Sequence, residues 1–469
     1  MGHYTEVDLI SKLKPQEVSP MQVFIELQLE VNIPKDRANA NEIFLEVKHV
    51  SKEAKEKIAL AVVKAYEENI IEILCDSNVP ENKEGLGRHT RKGESKEWCQ
   101  CKSFERAGHR NDDRRLRGKE CRIKFKPAMV KCLGCGKRFS PVLDALELKP
   151  YQGRTDELLQ QVTEAIADTS YRRGSDQLEI LGDVPVPKST AHRWAATVDF
   201  PTSKSRGDPF LGADGTGFHK QPGQRGNVRL VLEIGEKGGI HPLGVWAGTD
   251  WESIAEEVKD TREDKWKLLN SDGERGIDKR MGPLAENLGR CQWHFARDSS
   301  FSLWKEGVPL DERKRIKDKL NKLIAIEIPK KDIELVKSSD KEKLLQRIQA
   351  AENDILHLQE EFEEKGYMKA AIYLANARKK LFTHLKMWID TGIIAPKTAS
   401  LIENIIRELV RRLKKVGWNW SDAGAERMGR IVMIRRYDRD AWNAYWRKRM
   451  NLQNRCQIKL VYYKWRRAA

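Results

Sequence analysis

The stretch from residue 208 to residue 298 constrains the fold most, because its apolar runs are short and closely spaced. Pro209–Thr216, Val228–Ile234 and His241–Ala247 follow one another with only glycine-rich or charged turns between them. Short apolar runs bounded by such turn residues are typical of strands. Three strands joined by short turns predict an antiparallel meander.

The second half of this stretch alternates helix and strand. Asp250–Val258 has helical periodicity, and Trp266–Gly273 contains a fourth apolar strand. A helix over Ile277–Asn287 and a fifth strand over Arg290–Phe295 are expected next. A three-strand meander followed by alternating helices and strands is the order of a ribonuclease H-like sheet. In that topology the first and fourth strands are neighbours.

The first and fourth strands each end on a carboxylate, Asp214 and Asp272. Asp-Gly is a common turn pair, so either residue alone would fit an ordinary turn. Two such residues on neighbouring strand ends would repel each other unless cations neutralise them. Two oxygen-liking metal ions about 4 Å apart would do so, and their chemistry is in-line displacement at phosphorus.

Three short motifs resemble those of Mutator-like transposases and their prokaryotic insertion-sequence relatives. They are Ala213-Asp214-Gly215-Thr216, Ser271-Asp272-Gly273 and Cys291-Gln292-Trp293-His294. The resemblance covers roughly residues 208–298 and 418–440. It implies a DDE triad on a ribonuclease H-like core, with Mg²⁺ or Mn²⁺ as cofactor. The implied activity is cleavage of transposon ends and strand transfer into target DNA.

The resemblance implies a third carboxylate, a glutamate on a late helix reached after a helical insertion. Glu426 fits that position, and Asp422, one helical turn earlier, is the alternative. Glu426 is favoured because it lies deeper in the helix, ahead of apolar Met428. Cys291 and His294 are expected beside the active site, either in metal binding or as a buried pair that steadies its edge.

Two cysteine pairs, Cys99-Gln-Cys101 and Cys132-Leu-Gly-Cys135, lie about 30 residues apart. Zn²⁺ takes four tetrahedral ligands, and two closely spaced pairs supply them. The sequence therefore predicts a structural zinc site in a small basic module with little core of its own. Cys121 and His109 are spare candidate ligands, and ordinary reduced thiols are the alternative.

Residues 154–200 predict three helices: Asp156–Ala167, Ser170–Leu181 and Thr190–Val198, the last capped by Ser189. The third helix would expose His192 and Arg193 in its first turn and turn Trp194 and Val198 inward. This pattern predicts a helix-turn-helix that reads DNA from the start of its third helix, with Lys188 also at the DNA. A plain helical bundle is the alternative.

The long region that follows residue 304 is almost wholly helical. Six apolar residues alternate steps of four and three, which predicts a coiled-coil seam that Gly366 ends. They are Leu344, Ile348, Ala351, Ile355, Leu358 and Phe362. A second helix over Tyr367–Ile389 would make this an antiparallel hairpin, and a contact between two copies is the alternative.

The C-terminal segment is rich in tryptophan and arginine. Core packing of the tryptophans is favoured over stacking on a DNA base, and the arginines are expected to hold phosphates. The tryptophans are Trp418, Trp420, Trp442, Trp446 and Trp465, and the expected phosphate ligands are Arg430, Arg435 and Arg436.

The predicted architecture is multidomain α/β, a ribonuclease H-like core interrupted by an all-α insertion. The expected segments are 1–75, an α+β unit with strands at 23–31 and 43–50 and a helix from Ser51; 76–97, a linker; 98–145, a zinc-ribbon-like module; 154–200, the helix-turn-helix; 208–298, the first part of the core; 299–417, the insertion; and 418–469, the last core helix and basic tail.

The formal net charge of +16 indicates a polyanionic partner. Double-stranded DNA is the expected partner, bound by a homodimer or higher oligomer because transposition joins two ends. No run approaches the roughly 20 apolar residues of a membrane span, so a soluble, intracellular protein is expected, and the resemblance to insertion-sequence transposases implies a cytoplasmic, nucleoid-associated prokaryotic one. Two rival functions remain, a nuclease of the same fold that only hydrolyses and a non-enzymatic DNA-binding regulator derived from a transposase.

Overall fold

The protein is described from a computed structural model, which divides it into two compact units, 1–158 and 159–469. No helix within the described part of the chain is long and apolar enough to cross a membrane. The described residues are Val23, Ile25, 39–76, His89, 99–149, 151–220, 223–328, 338–397, 400–416 and 419–451.

The first unit opens with the long helix α1, Ala40–Cys75. The Asn39 side chain accepts a hydrogen bond from the Glu42 backbone N–H, and the Glu42 carboxylate accepts one from the Asn39 N–H. This reciprocal capping starts the helix well before Ser51. The predicted strand at 43–50 is therefore wrong, and its apolar residues lie on exposed helix surface. The predicted strand at 23–31 lies outside the described residues except for Val23 and Ile25.

The cysteine-bearing module of the first unit is built from short strands. They are β1 (Phe104–His109), β2 (Arg114–Arg117), β3 (Arg122–Phe125), β4 (Ala128–Cys132) and β5 (Arg138–Phe139), followed by the short helix α2 (Pro141–Ala145). Strands β1, β4 and β5 form one antiparallel sheet, and β2 pairs with β3. Ile70, Ile71 and Leu74 of α1 share a core with Val130 and Val142, so α1 supplies apolar surface that the small module lacks.

Three helices follow as predicted: α3 (Asp156–Ala167), α4 (Tyr171–Gly182) and α5 (Lys188–Ala195). The division between the two units falls in the first turn of α3. Ser170 caps α4 by accepting a hydrogen bond from the Arg173 N–H. Helix α5 begins after Pro187 rather than after Ser189, because the fixed φ of proline already suits a helix start.

The second unit is organised around a five-strand sheet in its described part. Its elements are β6 (Phe210–His219), β7 (Arg225–Ile234), β8 (Ile240–Ala247), α6 (Trp251–Lys259), β9 (Trp266–Ser271), α7 (Arg275–Arg280) and β10 (Ala285–Arg290). The strand order is β10-β9-β6-β7-β8. Strands β6, β7 and β8 are an antiparallel meander, while β9 runs parallel to both β6 and β10. The predicted adjacency of the first and fourth strands is confirmed.

Three predicted boundaries in this sheet are wrong. Strand β6 does not end at Asp214 but continues to His219, because it pairs with β7 over its whole length. The helix expected over 277–287 ends at Arg280, since Pro283 follows and cannot continue an α-helix. The fifth strand is Ala285–Arg290, and a helix begins directly after Cys291.

The rest of the second unit is helical in its described part. The helices are α8 (Gln292–Trp304), α9 (Leu310–Ile324), α10 (Ser338–Glu364), α11 (Met368–Arg378), α12 (Thr383–Thr391), α13 (Ser400–Val410), α14 (Asp422–Tyr437) and α15 (Arg439–Met450). A π-helical turn, Arg411–Lys415, extends α13. The segment between α11 and α12 joins the sheet at β10, where the Arg290 N–H donates to the Lys380 carbonyl oxygen and Thr383 Oγ1 donates to the Leu288 carbonyl oxygen.

The predicted coiled-coil seam is buried inside the chain. All six seam residues of α10 are buried, and they share a core with residues of α11 and α12 such as Leu374 and Trp388. Lys386 of α12 pairs with Glu352 of α10 at 2.7 Å. The antiparallel hairpin is therefore confirmed, with its second arm broken into α11 and α12. The alternative of a dimer seam is wrong, because the seam is already covered within one chain.

Core packing of the C-terminal tryptophans is confirmed for Trp420, Trp442 and Trp446, all of which are buried. The Trp442 ring stacks on Phe200 at a centroid distance of 5.4 Å. Trp418 and Trp465 lie outside the described residues. Helix α15 is thus held to the chain that leads into β6 by aromatic packing.

We predict that Leu358→Ala destabilises the second unit by about 2–5 kcal/mol, because it leaves a cavity in the hairpin core. The matched control is Leu345→Ala on the same helix, where the leucine is 40% exposed. The control should change the free energy of unfolding by less than about 0.5 kcal/mol. Urea unfolding followed by tryptophan fluorescence measures both, and equal losses would contradict this packing.

Candidate functional site

Asp214 and Asp272 lie at the same level of neighbouring strands. Strands β6 and β9 pair in parallel, with Gly212 opposite Asn270. Each aspartate comes two residues after that pair, Asp214 within β6 and Asp272 just beyond the end of β9. Since adjacent strands lie about 4.8 Å apart, the two aspartates occupy neighbouring positions of the sheet, as the sequence predicted.

Helix α13 covers the face of the sheet on which Asp214 lies. A Cβ atom built on Gly212 would overlap Cδ1 of Ile402, so the helix packs directly against the strand at this glycine. Side chains two apart on a strand point to the same face, so Asp214 shares the face that Ile402 covers. The next residue of this helix is Glu403, whose charge acts on Asp214 and therefore lies near it.

Negative charge accumulates around Asp214. The pKa of Asp214 is raised to about 7, mainly by burial; the nearby charges of Asp272, Glu403 and Glu274 contribute to the rise, and a hydrogen bond from the Gly215 N–H opposes it. A raised pKa means that the ionised form of the carboxyl group is destabilised, and a cation bound beside it would stabilise that form. Carboxylate oxygens in such a cluster are the donor set that hard divalent cations prefer.

His294 holds Glu403 in place. Its Nε2 atom lies 3.0 Å from Oε1 of Glu403, and the ring is buried on α8. Burial is the main cause that lowers the His294 pKa; Arg297 lowers it further, and Glu403 and Asp272 oppose that shift. The short contact between the ring nitrogen and the carboxylate restricts the orientation of Glu403.

Cys291 fixes the start of α8 beside Asp272. Its backbone N–H donates to the Ser271 carbonyl oxygen at 2.9 Å, and its side chain is buried. Cys291 and His294 therefore lie next to the acidic cluster, as the sequence predicted. The geometry fits the buried pair that steadies the edge of the site.

Glu426 has other partners. Its Oε2 atom accepts a hydrogen bond from the Ala247 N–H at 3.1 Å, and its Oε1 atom lies 3.0 Å from Nη2 of Arg430. Ala247 belongs to β8, two strands away from β6, which corresponds to about 10 Å across the sheet. Asp422, the alternative, pairs with Lys220 at 2.6 Å. Each acid predicted for the third position is thus paired with a cation, Glu426 with Arg430 and Asp422 with Lys220.

The sequence did not single out Glu403, because the large insertion left the third position to be chosen by motif alone. A signal was present in the sequence itself. Ile402, Ile405, Ile406 and Leu409 form the buried stripe of α13, and Glu403 directly follows the first of them. An acid beside the apolar stripe of a helix that packs on a strand is well placed to reach that strand's polar residues.

The first unit contains a separate cluster of potential metal ligands. One ligand atom from each of His89, Cys99, Cys132 and Cys135 lies within 4.8 Å of the others. The Cys99 and Cys132 sulfur atoms are 3.7 Å apart, too far for a disulfide. Nε2 of His89 lies 3.3 Å from Sγ of Cys135. Tetrahedral zinc with Zn–S bonds of about 2.3 Å separates its sulfur ligands by about 3.8 Å, so this group could bind a metal ion such as zinc.

The composition of this cluster corrects the prediction from sequence. The group that the structure brings together contains three of the four expected cysteines and adds His89, from within the segment predicted to be a linker; the fourth, Cys101, is not in that group, although its thiol contacts Cys132. Cys101 lies close by, against Gly134, and its thiol donates to the Ser103 carbonyl oxygen. Sequence reasoning missed His89 because it stands alone, ten residues before Cys99; its burial comes from stacking on Phe139 at 4.6 Å.

The residues predicted to contact DNA differ in exposure. Lys188, His192 and Arg193 are exposed on α5, as predicted. Arg430, in contrast, donates to the carbonyl oxygens of Val245 and Phe200. Arg435 pairs with Glu164 and Asp168.

Arg436 is more exposed, and it pairs with Glu408 at 3.3 Å. The expectation that these three arginines hold phosphates is corrected for Arg430 and Arg435, whose guanidinium groups are largely buried against protein partners.

No model of a known protein family matches the chain, and no curated protein matches it either.

We predict that Cys99→Ser abolishes stoichiometric zinc binding, because three ligands hold a structural zinc far less tightly than four. Cys101→Ser is the matched control, since Cys101 lies outside the four-residue group, and it should retain the metal. Elemental analysis of the purified full-length variants measures the bound zinc. Loss of zinc in Cys101→Ser, with retention of zinc in His89→Ala, would contradict this ligand group and support the four-cysteine site predicted from the sequence.

We also predict that Asp214→Asn stabilises the chain in buffer without added divalent cation, by more at about pH 8 than at about pH 5. The pKa of Asp214 is raised from 3.8 to about 7 in the folded chain. A raised pKa means that the folded state favours the protonated acid, so wild-type stability falls as pH rises through about 7. Asparagine does not titrate, so the free energy of unfolding of the variant does not fall with pH for this reason.

Urea unfolding midpoints at the two pH values measure the effect of Asp214→Asn. Asp390→Asn, at an exposed position on α12, is the control and should leave the midpoint nearly unchanged at both. An Asp214→Asn shift of equal size at both pH values would contradict a buried acid in a cluster of negative charge.

Proposed function

We propose that the protein is a DNA transposase that uses divalent metal ions to cut DNA strands and join them to a target. The observation that carries the proposal is the pair of neighbouring carboxylates, Asp214 and Asp272, with Glu403 close to Asp214. We assign the core to the ribonuclease H-like fold. The strand order β10-β9-β6-β7-β8, with a meander followed by two parallel strands, supports this assignment.

Glu403 replaces Glu426 as the third acid in our proposal. Glu403 acts electrostatically on Asp214 and is held by His294. The carboxylate of Glu426 is instead satisfied by Arg430 and the Ala247 N–H. A carboxylate that already has a cation and a hydrogen-bond donor gains less electrostatic stabilisation from a bound metal ion than a carboxylate that lies among other negative charges.

Asp214, Asp272 and Glu403 would hold Mg²⁺ or Mn²⁺. The support is the donor set, the carboxylate oxygens of three acids, of which Asp272 and Glu403 act electrostatically on the buried Asp214. When bound, such ions activate the attacking oxygen and stabilise the leaving oxygen in displacement at phosphorus. His294 acts as a positioning residue, because its contact is with Glu403 rather than with DNA. The Asp272 carboxylate is oriented by a hydrogen bond from the Glu274 N–H at 2.8 Å.

DNA binding is the role we propose for two accessory modules. Helix α5 exposes Lys188, His192 and Arg193 at its surface, which fits a helix-turn-helix that reads a groove. The His89 and cysteine cluster would hold a structural zinc that stabilises the short strands around it. The net charge of +16 supports a polyanionic partner for the whole chain.

We predict that Glu403→Gln lowers DNA cleavage by at least about 100-fold, since it removes a charged ligand of the reacting metal ions. Asp214→Asn and Asp272→Asn should have the same effect. Glu426→Gln is the matched control, with the same substitution on a neighbouring helix, and it should retain most of the activity. Nicking of supercoiled plasmid in Mg²⁺ or Mn²⁺ measures the rate.

Equal loss of cleavage in Glu403→Gln and Glu426→Gln, with both variants folded by circular dichroism, would contradict the assignment of Glu403. Joined products in a strand-transfer assay distinguish a transposase from a nuclease of the same fold that only hydrolyses. Unchanged function in Asp214→Asn and Asp272→Asn would leave a DNA-binding regulator as the remaining explanation.

A further inference from the structure

A cleft of about 740 Å³ begins at Gly273, the residue directly after Asp272. Its walls come from α7, the end of β10 and helix α11 of the insertion. Most of its charged lining residues are basic. The basic lining residues are Arg275, Lys279, Arg290, Lys369, Lys379 and Lys380.

Arg290 lies at the floor of this cleft and is only 6% exposed. Its Nη2 atom donates to the Tyr373 hydroxyl at 2.7 Å, and the guanidinium lies 5.4 Å from the centre of the Tyr373 ring. Its Nε and Nη1 atoms have no hydrogen-bond partner among the residues that the structure describes. A buried guanidinium with two unpaired donors is costly unless a ligand completes it.

The position of Arg290 is fixed from two sides. A Cβ atom at Gly273 would overlap Nη1 of Arg290, and Gly273 has a φ of +90° that favours glycine. The guanidinium therefore lies directly on the backbone that follows Asp272. Tyr373 holds it from the opposite side.

The only acid among the lining residues, Asp278, is already neutralised. Its Oδ2 atom pairs with Lys380 at 2.6 Å, and its Oδ1 atom accepts a hydrogen bond from the Ser271 hydroxyl at 2.6 Å. The remaining basic side chains give the cleft an excess of positive charge. This positive cleft adjoins the negative cluster of Asp214, Asp272 and Glu403, so an anion would bind beside the acids and not among them.

We propose that the cleft binds the phosphodiester backbone of the DNA strand next to the bond that is cut, with Arg290 as the residue that holds one phosphate. This inference rests on the proposed function. The Nε–H and Nη1–H groups point to different sides of the guanidinium, so a phosphate oxygen would accept a charge-assisted hydrogen bond from one of these two unpaired donors. The exposed Arg275, Lys279 and Lys379 would neutralise neighbouring phosphates. The helical insertion is then one wall of the substrate channel.

The test uses binding rather than cleavage. Full-length protein without added divalent cation is titrated with a short fluorescein-labelled DNA duplex that carries a single-stranded extension, over a series of NaCl concentrations. Arg290→Gln and Lys379→Gln should each weaken binding several-fold. Each should reduce the slope of log K against log salt by about 1. Lys379 is exposed, so its variant is expected to fold even if Arg290→Gln does not.

Arg347→Gln, at an exposed position on α10 outside the cleft, is the matched control and should leave affinity and slope unchanged. Wild-type salt slopes in both Arg290→Gln and Lys379→Gln would overturn the inference. Loss of cleavage in Asp214→Asn would then still support the proposed function. Tighter binding of inorganic phosphate than of the duplex, measured by calorimetry at constant ionic strength, would also overturn it, because the cleft would then be a small-anion site.

Discussion

The burial of Asp214 close to two further acids, Asp272 and Glu403, is the constraint around which the core of the second unit is arranged. Parallel pairing of β6 and β9 forces the two aspartates to one level of the sheet, and the contact of Ile402 with Gly212 brings the glutamate close to Asp214. Desolvation destabilises the ionised form of Asp214, as its raised pKa indicates. The packing energy of the sheet and of α13 offsets this cost in the protein alone.

The sequence predicted the parts of this arrangement that depend on local pattern. Apolar runs and turns identified β6 to β9, and their order implied that Asp214 and Asp272 are neighbours. The late position of a third carboxylate could not be derived in the same way, because it depends on how a long helical insertion returns to the sheet. Glu426 was chosen from its own helix, whereas the nearer acid, Glu403, is brought in by a glycine on another element.

The metal cluster of the first unit was only partly predictable for a similar reason. Cys99, Cys132 and Cys135 could be identified from the sequence because each belongs to a closely spaced cysteine pair, and such spacing is a local feature. His89 belongs to the group through tertiary packing on Phe104 and Phe139, which no spacing rule contains. The strand expected at 43–50 failed because the capping interaction at Asn39 outweighed a weak alternation of apolar residues.

The contacts of Glu426 and Arg430 have a consequence for solubility. Strand β8 is an edge of the sheet, and its outward groups are taken by Glu426, which accepts from the Ala247 N–H, and by Arg430, which donates to the Val245 carbonyl oxygen. At the opposite edge, Lys380 and Thr383 do the same for β10. An open strand edge is a template for pairing with a second copy. Side chains and loop backbone therefore occupy part of each margin, and the groups they bind are not open to pairing with a strand of a second copy.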